Sequence, residues 1–282
     1  MMQNRPLVSI VIANYNGGEF LEQAIVSVLN QTCQDFELIL VDGASTDDSV
    51  AIINRYSNRI AWWCSEKDQG QSDAFNKGFS HAKGIYGCWL NADDIMMPNT
   101  IKTIKDFLIS NPQIEWFCGG SIFCEPDMRV KWCAKNIPNM PFITRRLSGI
   151  NVNGPSSFFK ISHLHHVGGF DTHLHYVMDV DLWLRFSKAG IKLYYLQKYF
   201  WAFRIHAKSK TSHRFIENKQ TLDFFNESQM ILKKRGLTTL QLKTEYWVFK
   251  FIKILTGAYF LSWLDTQRYK GVPISTFAVK YQ

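Results

Sequence analysis

Four short apolar runs, each followed at once by a polar loop, fall within the first 95 residues. They cover 7–13, 37–41, 60–64 and 85–90, and the first is β-branched as buried parallel strands are. Helix-like stretches separate them. Over 19–30, apolar residues at 20, 21, 24, 25, 28 and 29 share one face of a helix. Ser45-Thr46-Asp47-Asp48 reads as a helix start with acidic residues in its first turn, and 72–82 reads as another helix. Pro98 stands where a helix running toward Ser110 would begin. Strands spaced by single helices build βαβ units, so the chain is expected to be α/β, with a mostly parallel sheet covered by helices on both faces.

In such a sheet ligands bind beyond the carboxyl ends of the strands. The four exits read Asn14-Tyr15-Asn16-Gly17-Gly18, Asp42-Gly43-Ala44-Ser45-Thr46-Asp47, Glu66-Lys67-Asp68-Gln69-Gly70 and Asn91-Ala92-Asp93-Asp94. One acidic loop is commonplace, but four at one edge point to a site. No GxGxxG opens the first helix and no GxxxxGK[ST] occurs, which argues against a dinucleotide fold and excludes a P-loop. Carboxylates without a phosphate cradle hold a pyrophosphate best through a divalent metal. Asp93 and Asp94 are adjacent, so at a strand end one can take the metal while the other contacts sugar or backbone.

Charge divides the chain. The 282 residues carry a formal net charge of +8, yet residues 1–110 hold 8 Lys and Arg against 13 Asp and Glu, and residues 111–282 hold 24 against 11. Six scattered cysteines without a CxxC spacing read as reduced thiols of a cytoplasmic protein. No run of 18 uncharged apolar residues is present, and the N-terminus has no signal-peptide cleavage pattern. Helices are expected from near Asp179 to Gly190 and over 215–235, stopped by Gly236. An amphipathic stretch over 246–264 should place Lys250, Lys253 and Gly257 on one stripe. Residues 204–282 hold 14 basic and 5 acidic side chains; no nucleic-acid motif accompanies them, and the interleaved aromatics fit an anionic membrane surface or a helix packed on the protein.

An ordered set of motifs resembles the family 2 glycosyltransferases of GT-A fold, from Val8 to about Thr211. It comprises Val8-Ser-Ile-Val-Ile-Ala-Asn-Tyr-Asn16, Ser27-Val-Leu-Asn-Gln-Thr32, Val41-Asp-Gly-Ala-Ser-Thr-Asp47, Asp73-Ala-Phe-Asn-Lys-Gly78 and Leu90-Asn-Ala-Asp-Asp94. Gly168-Gly-Phe-Asp171, Asp179-Val-Asp-Leu-Trp-Leu-Arg185 and Arg204-Ile-His206 complete it. The resemblance implies inverting transfer of a sugar from a nucleotide diphosphate sugar, with uridine as the expected base, to an acceptor hydroxyl. It implies that Ala13, Asn14 and Tyr15 lie beside the base and Asp42 at base or ribose. Asp68 and Asp73 would line the donor pocket, and Asn91-Ala92-Asp93 would stand at the Asp-x-Asp metal motif. Asp93, Asp94 and His206 would hold Mg or Mn with the diphosphate, and Asp179 would be the catalytic base. A carboxylate at a helix start is favoured in its ionised form, which suits a base that accepts the acceptor's proton.

Three positions depart from the family pattern: Gly43 and Met178 where an acidic residue is frequent, and Asn91 at the first metal-motif position. Asp181 is a rival base, though two residues along a helix it should face away from Asp179. Asp47 and Asp48 fit capping, and the irregular His163, His165, His166, His173 and His175 do not make a zinc site. The expected organisation is a donor and metal half (1–112), an acceptor half with the base (113–212) and a basic helical tail (213–282). The expected partners are the donor, a saccharide or lipid-linked acceptor of cell-surface polysaccharide synthesis, an anionic membrane surface touched from the cytoplasmic side, or a second copy. A non-catalytic nucleotide-sugar binder and a nucleotidyltransferase are the rival functions; the second would need a basic Gly-rich loop after the first strand, and 14–18 holds no Lys or Arg. A processive synthase would need a multi-span channel.

Overall fold

The computed structural model describes residues 5–138, 152, 154–210, 222–234, 236 and 238–280. The first half follows the βαβ expectation: β1 (Val8–Asn14), α1 (Gly18–Leu29), β2 (Phe36–Asp42), α2 (Ser49–Tyr56), β3 (Trp62–Ser65), α3 (Gln71–Ser80) and β4 (Tyr86–Asn91). These four strands run parallel in the order β3-β2-β1-β4, with the interiors of β1, β2 and β4 fully buried. On α1, Leu21, Ala24, Ile25, Val28 and Leu29 are buried, the periodic face the sequence predicts. Then come β5 (Ile95–Met96) and α4 (Thr100–Ser110), which starts two residues beyond Pro98 behind Asn99.

The second half corrects the expected mostly parallel sheet. It contributes β6 (Trp116–Cys124), β7 (Val130–Ala134), β8 (Ser157–Lys160), α5 (Ile161–His166), α6 (Met178–Lys188) and β9 (Leu193–Arg204). β8 lies antiparallel between β4 and β6, β7 pairs antiparallel with β6, β5 pairs antiparallel with β9, and only β6–β9 is parallel. The physical reason is connection length. β6 and β7 are joined by a tight turn with Met128 at φ +63°, and a turn that short can join only antiparallel neighbours. One sheet therefore runs through both halves in the order β3-β2-β1-β4-β8-β6-β9-β5.

Aromatic packing seats α6 on this sheet. Trp183 is stacked between Trp89 of β4, 5.6 Å between centroids, and Trp116 of β6, 5.1 Å away. The helix stops at Gly190, whose φ of +78° lets the N–H of Ile191 turn back to Phe186 O at 3.0 Å.

The tail comprises α7 (Leu222–Lys234), α8 (Thr239–Leu255), α9 (Ala258–Tyr269) and α10 (Ile274–Lys280). Of the helix expected over 215–235, residues 215–221 and 235 lie outside the described residues; Leu222–Lys234 is helical. The single amphipathic stretch expected over 246–264 is two helices. Gly257 takes φ +67°, and the segments 243–255 and 258–269 meet at a 68° bend, so Gly257 is a corner and not part of a continuous stripe. Among the described residues no single helix is long and apolar enough to cross a membrane, although this bent pair passes the same test by length and composition.

Candidate active site

Strand register assembles the site. Asn14 stands beside Asp42, and Ala13 beside Asn91, so the ends of β1, β2 and β4 share one carboxyl edge. Asn14 Nδ2 donates to Asp42 Oδ1 at 2.7 Å and to Ser45 Oγ at 3.2 Å. Asp42 also accepts from Ser45 N at 2.9 Å, Ser45 Oγ at 2.5 Å and Ser65 Oγ at 2.6 Å. Its carboxylate is fully buried and these donors saturate it. The expected direct contact of Asp42 with base or ribose is corrected: Asp42 braces the loops that would make that contact.

The loops lock to each other as well. Asn16 N donates to Ser45 Oγ at 2.8 Å, Thr46 N to Asn16 Oδ1 at 2.8 Å, and Gly18 N to Asp47 Oδ2 at 2.9 Å. Asp47 also accepts from Ser49 N at 3.0 Å, a turn just ahead of α2 that tethers α1 to it, whereas the N-cap residue Asp48 makes no side-chain cap bond. Tyr15 projects into solvent, and Ala13 is half-buried. Asn14 Oδ1 is buried and has no protein donor among the described residues; a Cβ on Gly17 would collide with it.

The Gly43 departure has a local cause. A Cβ there would lie 2.7 Å from Asp68 Oδ2, so the Asp68 carboxylate, not a side chain at 43, fills that space. Asp68 Oδ1 accepts from Gly70 N at 2.9 Å, and Asp73, in the first turn of α3, accepts from Gln69 N at 3.1 Å.

At the end of β4 the two adjacent aspartates part. Asp94 is fully buried: its carboxylate accepts from Arg204 N at 2.9 Å and from Asn91 Nδ2 at 2.7 Å. Burial first, and the charge of Asp93 second, push the Asp94 carboxyl well above the usual carboxylate range, against the pull of those hydrogen bonds. Asp94 is therefore corrected from metal ligand to internal brace. The Asn91 departure follows from it, because a carboxylate at 91 would meet the Asp94 oxygen head-on, whereas the amide donates to it and accepts from Gln71 Nε2 at 3.1 Å. Asp93 instead turns to His206, with Oδ2 and Nε2 2.9 Å apart. Its neighbour Ala92 is half-buried beside Gly17, whose added Cβ would stand 3.4 Å from Ala92 Cβ.

Arg204 holds this pair in place. Its Nε donates to Asp93 O at 2.9 Å, NH1 to Pro126 O at 2.7 Å and NH2 to Gln23 Oε1 at 2.6 Å. The guanidinium lies 4.5 Å over the Phe20 ring, and Phe20 is 4.6 Å from the His206 ring. Arg204 and Ser45 stand in motifs of the sequence without a bracing role expected of them, and nothing in the sequence points to Gln23, Phe20 or Gln71 as parts of the site.

Asp179 lies in the first turn of α6, half-buried, one turn before the stacked Trp183. A Cβ on Gly154 would stand 3.2 Å from Asp179 Oδ2 and 2.7 Å from the Trp89 ring, so the Asp179 carboxylate and the Trp89 side chain of β4 close on Gly154 together. Asp181 turns inward: it is fully buried and accepts from Arg185 Nε at 2.8 Å. The scattered histidines form no metal cage, and among the described residues no three His, Cys, Asp or Glu side chains converge as one.

The family model described as Glycosyl transferase family 2 matches residues 9–161. An uncharacterized glycosyltransferase of Rickettsia prowazekii is 32% identical over 225 residues, 75% of this chain and 69% of that one. The chain belongs to glycosyl transferase family 2. The hyaluronan synthase of Pasteurella multocida is 27% identical over 83% of this chain and 24% of its own length. Among solved structures, S. aureus TarS 1-349 in complex with UDP-GlcNAc aligns with a TM-score of 0.58 at 16% identity, over 79% of this chain and 65% of that one. A mannosyltransferase from Pyrobaculum calidifontis in complex with GDP-Man and Mn2+ also gives 0.58, at 17% identity over 80% and 65%. These likenesses show the GT-A fold, and the family makes the chain a glycosyltransferase.

Proposed function

We propose that the transferase moves a sugar from a nucleoside diphosphate sugar, UDP-linked, to an acceptor hydroxyl with inversion at the anomeric carbon. The observation that carries this reading is the Asp93–His206 pair just beyond β4; Asp179, in the first turn of α6, is half-buried near Trp89 of the same strand. Exposed Tyr15, at the exit of β1, offers a face on which the base can stack. Two solved proteins of the same fold carry UDP-GlcNAc and GDP-Man.

One carboxylate and one imidazole fit a divalent cation as a partial ligand set, with diphosphate oxygens and water completing it. Asp93 and His206 would hold Mg or Mn there; when bound, the ion supplies positive charge to the leaving diphosphate. Asp179 accepts the proton of the attacking hydroxyl while that oxygen bonds to the anomeric carbon, and the nucleoside diphosphate leaves with the electrons of the broken bond. The acceptor is a saccharide or lipid-linked saccharide of the cell surface, a reading supported by the relative named hyaluronan synthase.

The test is a panel of UDP, GDP, CDP and dTDP sugars, with Mg or Mn and with chelator, scored for released nucleoside diphosphate. Metal-dependent release from UDP sugars is expected. No release and no metal-dependent nucleotide binding with any donor would reject the enzyme reading, and a preference for GDP sugars would reject the uridine assignment alone.

A further inference from the structure

Two of the tail helices, α8 and α9, bury one apolar side and leave further large apolar side chains on the outside. On α8, Phe249 and Ile252 are buried, and the Phe249 ring lies 5.9 Å from Tyr195. α9 is anchored on β7 by polar groups: Ser262 Oγ accepts from Lys135 N at 2.9 Å and Thr266 Oγ1 from Cys133 N at 2.9 Å. Asp265 takes both Lys135 Nζ and Tyr199 OH at 2.8 Å. With both helices fixed from behind, Trp247, Phe251, Ile254, Leu255, Phe260 and Trp263 are still 54–70% exposed. Trp247, Phe251, Ile254 and Leu255 share one face of α8 by their spacing, and Phe260 and Trp263 stack on each other on α9 beyond the 68° bend at Gly257, an exposed apolar ridge carried by the two helices. A patch of this kind on a protein surface marks a contact site.

A cation borders the ridge. Lys250 Nζ lies 4.5 Å over Tyr246 and 5.2 Å over Trp247, and Lys253 Nζ lies 5.3 Å over Phe249 and 5.4 Å over Tyr259. The Lys250 stem covers aromatic surface while its ammonium stays beside the ridge, as side chains at a membrane interface do, whereas Lys253 packs inward over the buried Phe249, where burial pushes its pKa down. Asp265, the acidic residue of α9, is consumed internally by Lys135 and Tyr199. The ridge thus combines aromatic and aliphatic groups with a flanking lysine, on helices neither of which is long and apolar enough to span.

We infer that the α8–α9 corner is a monotopic docking surface for an anionic lipid bilayer, with Phe251, Phe260 and Trp263 entering the acyl boundary and Lys250 meeting headgroup phosphates. The charge match to anionic lipid selects the bilayer over a second copy, because two such ridges face to face would bring like charges together. The inference does not rest on the proposed reaction.

The full chain is sedimented with vesicles of phosphatidylcholine alone and with phosphatidylglycerol added, at low and high salt. Binding is expected with the anionic vesicles and should weaken in salt. The triple variant Phe251→Ser, Phe260→Ser, Trp263→Ser should bind roughly tenfold or more weakly with an unchanged melting temperature, since all three side chains are exposed. Lys250→Gln should weaken binding to anionic vesicles only. Failure of the wild-type chain to bind anionic vesicles, or full binding by a folded triple variant, would overturn the inference. A concentration-dependent dimer that the triple variant abolishes, without vesicle binding, would assign the ridge to a second copy.

Discussion

His206 Nε2 and Asp93 Oδ2 stand 2.9 Å apart across 113 residues of chain. The contact joins the end of β4 to the residues just beyond β9, so it exists only once the sheet is complete. It also selects between two adjacent aspartates: the one that meets His206 faces the cleft, and the one held by Arg204 and Asn91 does not.

That asymmetry makes Asp93→Asn and His206→Ala the variants that should disable donor handling. Each is expected to lower kcat/KM about a hundredfold or more and to abolish metal-dependent nucleotide binding, with little change in melting temperature. Titration calorimetry with a nucleoside diphosphate and Mn separates the outcomes. Unchanged metal-dependent affinity in both variants would remove the pair from the donor site.

Asp179 and Asp181 sit two positions apart on α6 and should fail differently. Asp179→Asn is expected to abolish transfer while leaving donor affinity and melting temperature near wild type. Asp181→Asn strands the guanidinium of Arg185 against a neutral partner in a buried site, a loss of about 3 kcal/mol, which should lower the melting temperature by roughly 6–12 °C. Activity lost in a fully folded Asp181→Asn and kept in Asp179→Asn would reassign the base.

What the residues disclosed in advance follows from locality. Asn14, Asp42, Asn91 and Asp93 were legible because apolar runs end where a parallel sheet ends, and the register aligns those ends. The inward turn of Asp94 was not, because its partners are the backbone N–H of a residue 110 positions away and an amide three back. Asp42 has site-like chemistry, yet only its four internal donors disclose a bracing role. The antiparallel β8 escaped because a four-residue strand carries almost no periodicity. Gly257 escaped because a lone glycine in a helical pattern is usually tolerated, and only its left-handed φ breaks the helix.

Acid sensitivity should come in part from the ties of the tail to the 168–174 turn. Asp171 Oδ2 accepts from Lys234 Nζ on α7 at 2.7 Å, and Oδ1 accepts from His173 N at 3.1 Å. Burial pushes the Asp171 carboxyl up, but these hydrogen bonds and the Lys234 charge outweigh it and hold the group down to about 2. Its pKa in the unfolded chain is about 3.9, so the folded value is the lower one. The resulting stability is present in full above the unfolded pKa and is lost as pH falls through the folded one. Lys234 is half exposed, so screening reduces the contribution to about 1 kcal/mol. Urea unfolding of the wild-type chain and Asp171→Asn should show that gap unchanged from pH 8 to pH 5, shrinking below pH 4 and closing toward pH 2. A gap that persists undiminished at pH 2.5 would mean that Asp171 contributes through packing, not through its charge.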